Sequence, residues 1–121
     1  MAVNASVGQA ISQQTADNFW LAQGLATSTA GAATVNLPLS SVTTESLTTA
    51  AAATYSFTLT NSLITATSVV TASVGNGTNS AGSPCITTIT PAAGSAVIVI
   101  QNIHASAALN GTLKLNVLVV N

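Results

Sequence analysis

The side chains in this sequence that could carry chemistry are few: Asp17, Glu45, Tyr55, Cys85, His104 and Lys114. General acid–base catalysis needs titratable groups paired in a pocket, and the two acids stand far apart along the chain. A cysteine nucleophile would need Cys85 beside His104. The plainer reading makes Cys85 a small buried hydrophobe and has His104 hydrogen-bond a loop backbone. His104 and Lys114 could approach each other across the Asn110-Gly111 dipeptide. Zinc asks for several Cys or His ligands and calcium for a cluster of carboxylates. One His, one Cys and two separated acids supply neither within one chain, although three copies could ring His104 about a three-fold axis. No glycine-rich phosphate loop or nucleophile elbow is present. The sequence therefore predicts a non-enzymatic protein with no catalytic residue, no cofactor and no metal.

A different signal comes from Phe19-Trp20-Leu21, an apolar break in a polar stretch. These residues either pack on their own domain or act as an aromatic knob that docks into a partner. Buried aromatics dominate interface energetics, and truncating a Trp there can cost more than ~2 kcal/mol. The linker-like composition that follows would let such an anchor reach a neighbour.

The 121 residues suit one domain. Charged residues are 2% of the chain and the formal net charge is -1, against about 25% charged in an ordinary soluble domain. A basic nucleic-acid groove and a polybasic membrane patch are excluded, because both need several Lys or Arg. The longest apolar run, residues 96–100, is far shorter than the ~20 residues a spanning helix needs. The N-terminus shows no basic stretch followed by an apolar run, which reads against a secretory signal. The apolar fraction is 48% and the polar remainder is mostly Thr, Ser, Asn and Gln, a composition that favours pleated, half-buried surfaces. Charge normally keeps monomers apart, and sheet edges invite pairing. Burial of surface in an assembly is the expected escape, through contacts that salt affects little. With aromatics at 3%, oligomerisation is also expected to supply part of the stability.

These features sit on two expected regions. Residues 1–33 read as an arm and linker. Within it residues 15–24 suggest a turn or two of helix, with Thr15 as N-cap and Gly24 as stop. Residues 26–31 have linker composition. From Thr34 the period becomes two. Val35, Leu37 and Leu39 share a face, and Pro38 suits an edge strand. Residues 53–60 alternate cleanly, with Tyr55, Phe57 and Leu59 inward. Residues 68–74 place Val70, Ala72 and Val74 together. Residues 84–90 form a further strand, and residues 95–103 read as a central one. Asn110-Gly111 signals a tight turn. Residues 113–120 close the chain with Leu113, Leu115, Val117 and Val119 on one face. Residues 46–53 could be a helical turn. The expected fold is all-β: an antiparallel β-sandwich over residues 34–121, jelly-roll or immunoglobulin-like, with an extended, partly helical N-terminal arm.

The stretches 77–84, 90–95 and 98–115 carry a resemblance. Above all, the run Asn102-Ile103-His104-Ala105-Ser106-Ala107-Ala108-Leu109-Asn110-Gly111 resembles a hairpin of small virion proteins of tailed bacteriophages, cyanophages among them. The likeness covers residues 54–121. It implies a structural role in the virion, such as a capsid decoration (cement) protein made in the host cytoplasm. Such a protein would sit on the capsid exterior as a homotrimer bound to the major capsid protein. No catalytic residues come with it. A tail, fibre or adhesin module recognising a host glycan is the alternative, with Tyr55 and Trp20 as its available aromatics. A self-polymerising filament or surface layer is a third reading.

Overall fold

The computed structural model describes residues 23–121. Eight strands follow one another: β1 Gln23–Thr27, β2 Ala32–Thr34, β3 Leu39–Thr43, β4 Thr54–Thr60, β5 Val69–Asn76, β6 Pro84–Ala92, β7 Ser95–Asn102 and β8 Leu113–Val120. They make two four-stranded sheets, ordered β1-β3-β8-β5 and β2-β4-β7-β6, called here sheets A and B. No helix occurs among the described residues, and residues 46–53 are loop and turn. The fold is all-β, as the composition predicts.

Alternation explains the best-formed strands. In β8, Leu113, Leu115, Val117 and Val119 are buried while Lys114, Asn116 and Val120 are exposed. In β4, Phe57 and Leu59 are buried and Tyr55 is half-buried. β7 buries Ala96, Ile98 and Ile100 and lies between β4 and β6, the central position its apolar pattern predicts. Its other face, Val97 and Val99, is half-buried. These inward rows meet with Val42 of β3 in a single core, and Val70, Ala72 and Val74 of β5 pack against it.

Four expectations need correction. The sheets are mixed, not antiparallel: β1 runs parallel to β3, and β2 parallel to β4. Residues 23–34, expected as arm and linker, supply both of those strands. Their inward residues are Gly24, Ala26 and Ala33, too small to stand out as a hydrophobic stripe. Small size is required at Gly24, where an added Cβ would lie 2.1 Å from Val35 Cγ1. Residues 34–39 are not one strand. The chain leaves sheet B at Thr34, buries Val35, and enters sheet A at Leu39. Pro38 precedes β3, which is an interior strand, and the Pro38 carbonyl accepts a bond from Val119 N at 2.8 Å.

The fourth correction concerns Asn110-Gly111. β7 and β8 belong to different sheets, so residues 103–112 form a crossing connection and not a hairpin. Gly111 is buried where a Cβ would come within 2.6 Å of Thr78 Oγ1 and 2.7 Å of Asn79 N. Close approach of two loops, not turn geometry, explains this glycine. The helical reading of residues 15–24 ends inside β1. Its remaining residues, together with Asp17, Phe19, Trp20 and Leu21, lie outside the described residues.

Loops at the Asn102 end of the sheets converge on that side chain, which has no solvent exposure. Its Nδ2 donates to the carbonyls of Ala107 (2.8 Å), Thr49 (3.2 Å) and Ala50 (3.3 Å). Its Oδ1 accepts from the backbone of Ser83 (2.9 Å) and His104 (3.2 Å). One neutral amide thus serves three loops whose buried polar groups would otherwise lack partners. Asn102→Ala is expected to cost about 2–4 kcal/mol, from orphaned buried groups. Urea unfolding checks this. Asn36→Ala, which removes one exposed bond to Ser62 N, is the control and should cost under about 1 kcal/mol.

Candidate assembly surface

Of the residues singled out for chemistry, the structure joins Glu45 and Tyr55. The Tyr55 hydroxyl donates to Glu45 Oε1 at 3.0 Å, Gly31 N donates to Oε2 at 2.9 Å, and Ser28 Oγ also donates to Oε1. In return, Glu45 N donates to Ser28 Oγ at 3.1 Å. The backbone extends the contact: Ser28 N donates to Thr43 O and Thr58 N to Gly31 O, both at 2.8 Å. The carboxylate therefore clasps the β1–β2 link to both sheets. Tyr55, expected as a core residue, is only half-buried, because its hydroxyl must reach this carboxylate.

The electrostatics follow from these bonds. Burial raises the Glu45 carboxyl, but the donors from Ser28, its own backbone, Tyr55 and Gly31 together outweigh it and leave the group below its ordinary 4.5. Tyr55 is pushed from 10.0 to about 12, first by burial and then by the adjacent carboxylate, against the pull of Ser28. Ser28 is only 2% exposed, and its hydroxyl and the carboxylate are spent on each other. This arrangement fastens chain and leaves no nucleophile open to a substrate.

The other candidates are separate. Cys85 pairs with Gln101 on the outer face of sheet B, and its thiol contacts Ile86 O at 3.7 Å. His104 lies in the crossing connection, where Nδ1 accepts from Ser106 N (3.1 Å) and Ala107 N (2.9 Å). Lys114 is on the outer face of sheet A, opposite Thr43 and Gly75. Among the described residues no three of His, Cys, Asp and Glu stand close enough to share a metal.

The remaining feature is the surface itself. On the outer face of sheet A, Val69 and Val120 are cross-strand partners, and they are 59% and 50% exposed. Next to them Leu118 pairs with both Leu39 and Thr71. Leu39, Leu118 and their neighbours Thr71, Ser73 and Asn116 border an open depression of about 310 Å³. Near this end the carbonyl of Leu63, itself an exposed large hydrophobic residue, accepts from Asn121 Nδ2 at 3.0 Å. Lys114, at the opposite end of β8, is the one charged side chain on this face among the described residues. Sheet B differs. Its outer face sets Thr58 and Thr90 on either side of Val97, and Ser56 and Thr88 on either side of Val99. Sequence reading found the inward row of β5 and β8 but passed over Val69 and Val120. The signal available was a β-branched residue at each outward position where a polar one is usual.

Two titrations test the clasp. Glu45 has a lowered folded-state value, so its contribution is complete above the unfolded carboxylate value and is lost as pH falls through the folded one. The chain has only two acidic side chains, Asp17 and Glu45. Glu45→Gln is expected to lower neutral-pH stability by about 1–2 kcal/mol and to flatten the acid limb of the stability profile. Tyr55 is the single tyrosine. Phenolate absorbance should therefore show one transition at about 12 in the folded protein. Its raised value means stability is complete below 10.0 and is lost as pH rises toward about 12.

Comparison of the chain with protein-family models, with curated proteins and with solved structures finds no match to any of the three.

Proposed function

We propose that this protein is a non-enzymatic structural component of a virus particle, most simply a capsid decoration protein that binds the major capsid protein and copies of itself on the shell exterior. The observation that carries the reading is the outer face of sheet A, where Val69 and Val120 stand exposed beside Leu118 and the one charged side chain on that face among the described residues, Lys114, is at the far end of the strand. Exposed apolar patches of this kind mark interaction sites. A contact made there would be apolar and hydrogen-bonded, and would hold at high salt.

The order of the strands adds support. β8 lies between β3 and β5 in one sheet, and β7 lies between β4 and β6 in the other. This is the winding of a jelly roll reduced to six strands, with β1 and β2 added at its edges, and jelly rolls recur in viral capsids. An immunoglobulin-like order fits these pairings less well. Fold alone does not assign function, so the exposed face remains the principal support.

The alternative, a tail, fibre or adhesin module that binds a host glycan, loses one of its two aromatics here. The Tyr55 hydroxyl is committed to Glu45, which leaves it poorly placed to serve a sugar.

The Val69→Lys/Val120→Lys double variant tests the leading reading. Both residues point away from the core, so thermal stability should stay within about 1 kcal/mol of the parent. Occupancy on particles lacking the native protein should fall at least tenfold, whereas parent binding should survive salt raised to about 1 M. Undiminished loading of the double variant, or a glycan-array signal with no particle binding, would reject the decoration role.

A further inference from the structure

The sheets have four outer edges: β1 and β5 in sheet A, β2 and β6 in sheet B. Three are protected. β5 and β6 lie side by side, and β6 also carries Pro84, Pro91 and a register break between Ile86 and Thr88. Proline and bulges are the usual guards of an edge. β2 is three residues long, and Ala32 at its start exchanges backbone bonds with Thr29, 3.1 Å as donor and 2.9 Å as acceptor. Among the described residues β1 has the least guarded edge, with only the short β2 beside it. Its five residues Gln23–Thr27 include no charge, no proline and no bulge. At its centre stands Leu25, 77% exposed and the most exposed of the large hydrophobic residues described.

We infer that the free edge of β1 is a pairing site for the β1 strand of a second copy of this chain. The two strands run antiparallel about a two-fold axis near Leu25, which joins two copies of sheet A into one continuous sheet. A two-fold contact pairs residue i of one copy with j of the other and sets residues at the axis against their own duplicates, so a charge near the axis would meet its like. Here β1 is neutral, and Lys114 lies two strands inward, roughly 10 Å from the edge at ordinary strand spacing. Among the described residues no charged side chain lies on the edge to oppose self-pairing, which buries the two Leu25 side chains against each other as cross-strand partners about 5 Å apart. The edge is held ready for this. Gly24 lets β1 sit close over Val35, and the Ser28–Glu45 clasp secures the residues that follow the strand.

This contact rests on the self-association part of the proposed function and replaces the three-fold arrangement implied by the resemblance with pairs. Sedimentation equilibrium of the full chain at about 100 μM, where a micromolar contact is nearly saturated, should show a dimer. Leu25→Lys should weaken dimerisation at least tenfold, and at dilutions where the parent too is monomeric its unfolding midpoint should match the parent's, because the side chain is outside the core. Leu25→Glu alone should behave likewise, and an equimolar mixture of the two variants should recover a mixed dimer. A parent monomer, a parent trimer, a Leu25→Lys dimer of parental strength, or no recovery in the mixture overturns the inference. Each of these results leaves the particle-binding test at Val69 and Val120 independent, because that test reads attachment to the shell and not pairing in solution.

Discussion

Loop closure in this protein must be achieved almost without ions. The chain has two acidic side chains and one basic one, so the connections between sheets cannot be fastened by ion-pair networks. Neutral amides take over. Asn102 ties three loops at one end of the molecule. Asn61 does similar work at the other end, donating to Leu37 O at 2.8 Å and accepting from Leu63 N at 2.9 Å. Asn79, also buried, accepts from Asn110 N at 2.8 Å and so locks the 77–83 loop to the crossing connection. An amide carries both donors and acceptors and loses less on leaving water than a carboxylate does. That suits it to the ends of a core built from Val, Ile, Leu, one Ala and a single Phe. The one carboxylate used this way, Glu45, is surrounded by donors and stays nearer the surface.

The same shortage of ions shapes the exterior. A conventional surface disperses charge to stay soluble and to block edge pairing. This one offers threonine, serine and half-exposed valine. Hydroxyls keep the faces wetted but do not repel a neighbour carrying the same face. Any assembly of such faces would therefore be limited by geometry more than by charge. Protected edges become informative in that setting: among the described residues β5, β6 and β2 are each covered, broken or short, while β1 and the Val69–Val120 corner are less guarded.

How much of this was legible in the sequence depends on side-chain size and on path. β4, β7 and β8 announced themselves because Phe57, Leu59, Ile98, Ile100, Leu113 and Leu115 alternate with polar or lesser apolar neighbours. β1 and β2 did not, because Gly24, Ala26 and Ala33 face inward with too little hydrophobic area to register. The run from Val35 to Leu39 kept its two-residue period through a corner. Periodicity reports burial, not which sheet receives the side chain, so one strand was expected where the chain changes sheets. Asn110-Gly111 carries the chemistry of a tight turn yet serves loop-to-loop approach. The Glu45 clasp was invisible for a different reason: its partners come from two distant segments, the β1–β2 link and β4, that only the connection path brings to Glu45. The outward valines were readable in principle, but an outward β-branched residue is common enough on a sheet to pass without notice.

The two contact regions differ in place and in kind, and this decides whether they can act together. The β1 edge offers main-chain groups in the plane of sheet A, with Leu25 as its side-chain contact. The Val69–Val120 corner offers side chains normal to that plane, on β5 and β8 at the other side of the sheet. A partner at β1 would continue the sheet sideways, and one at the corner would lie on top of it. Neither needs the other's atoms, and no charge on one repels a partner of the other. Pairs linked through β1 would therefore carry two outward corners related by the same two-fold axis. A surface with matching sites would then be held at both, and the second attachment would be favoured by the high effective concentration that the first creates. For a chain that cannot use ionic contacts to strengthen a single interface, geometric repetition of a modest apolar one is the available physical route to firm attachment.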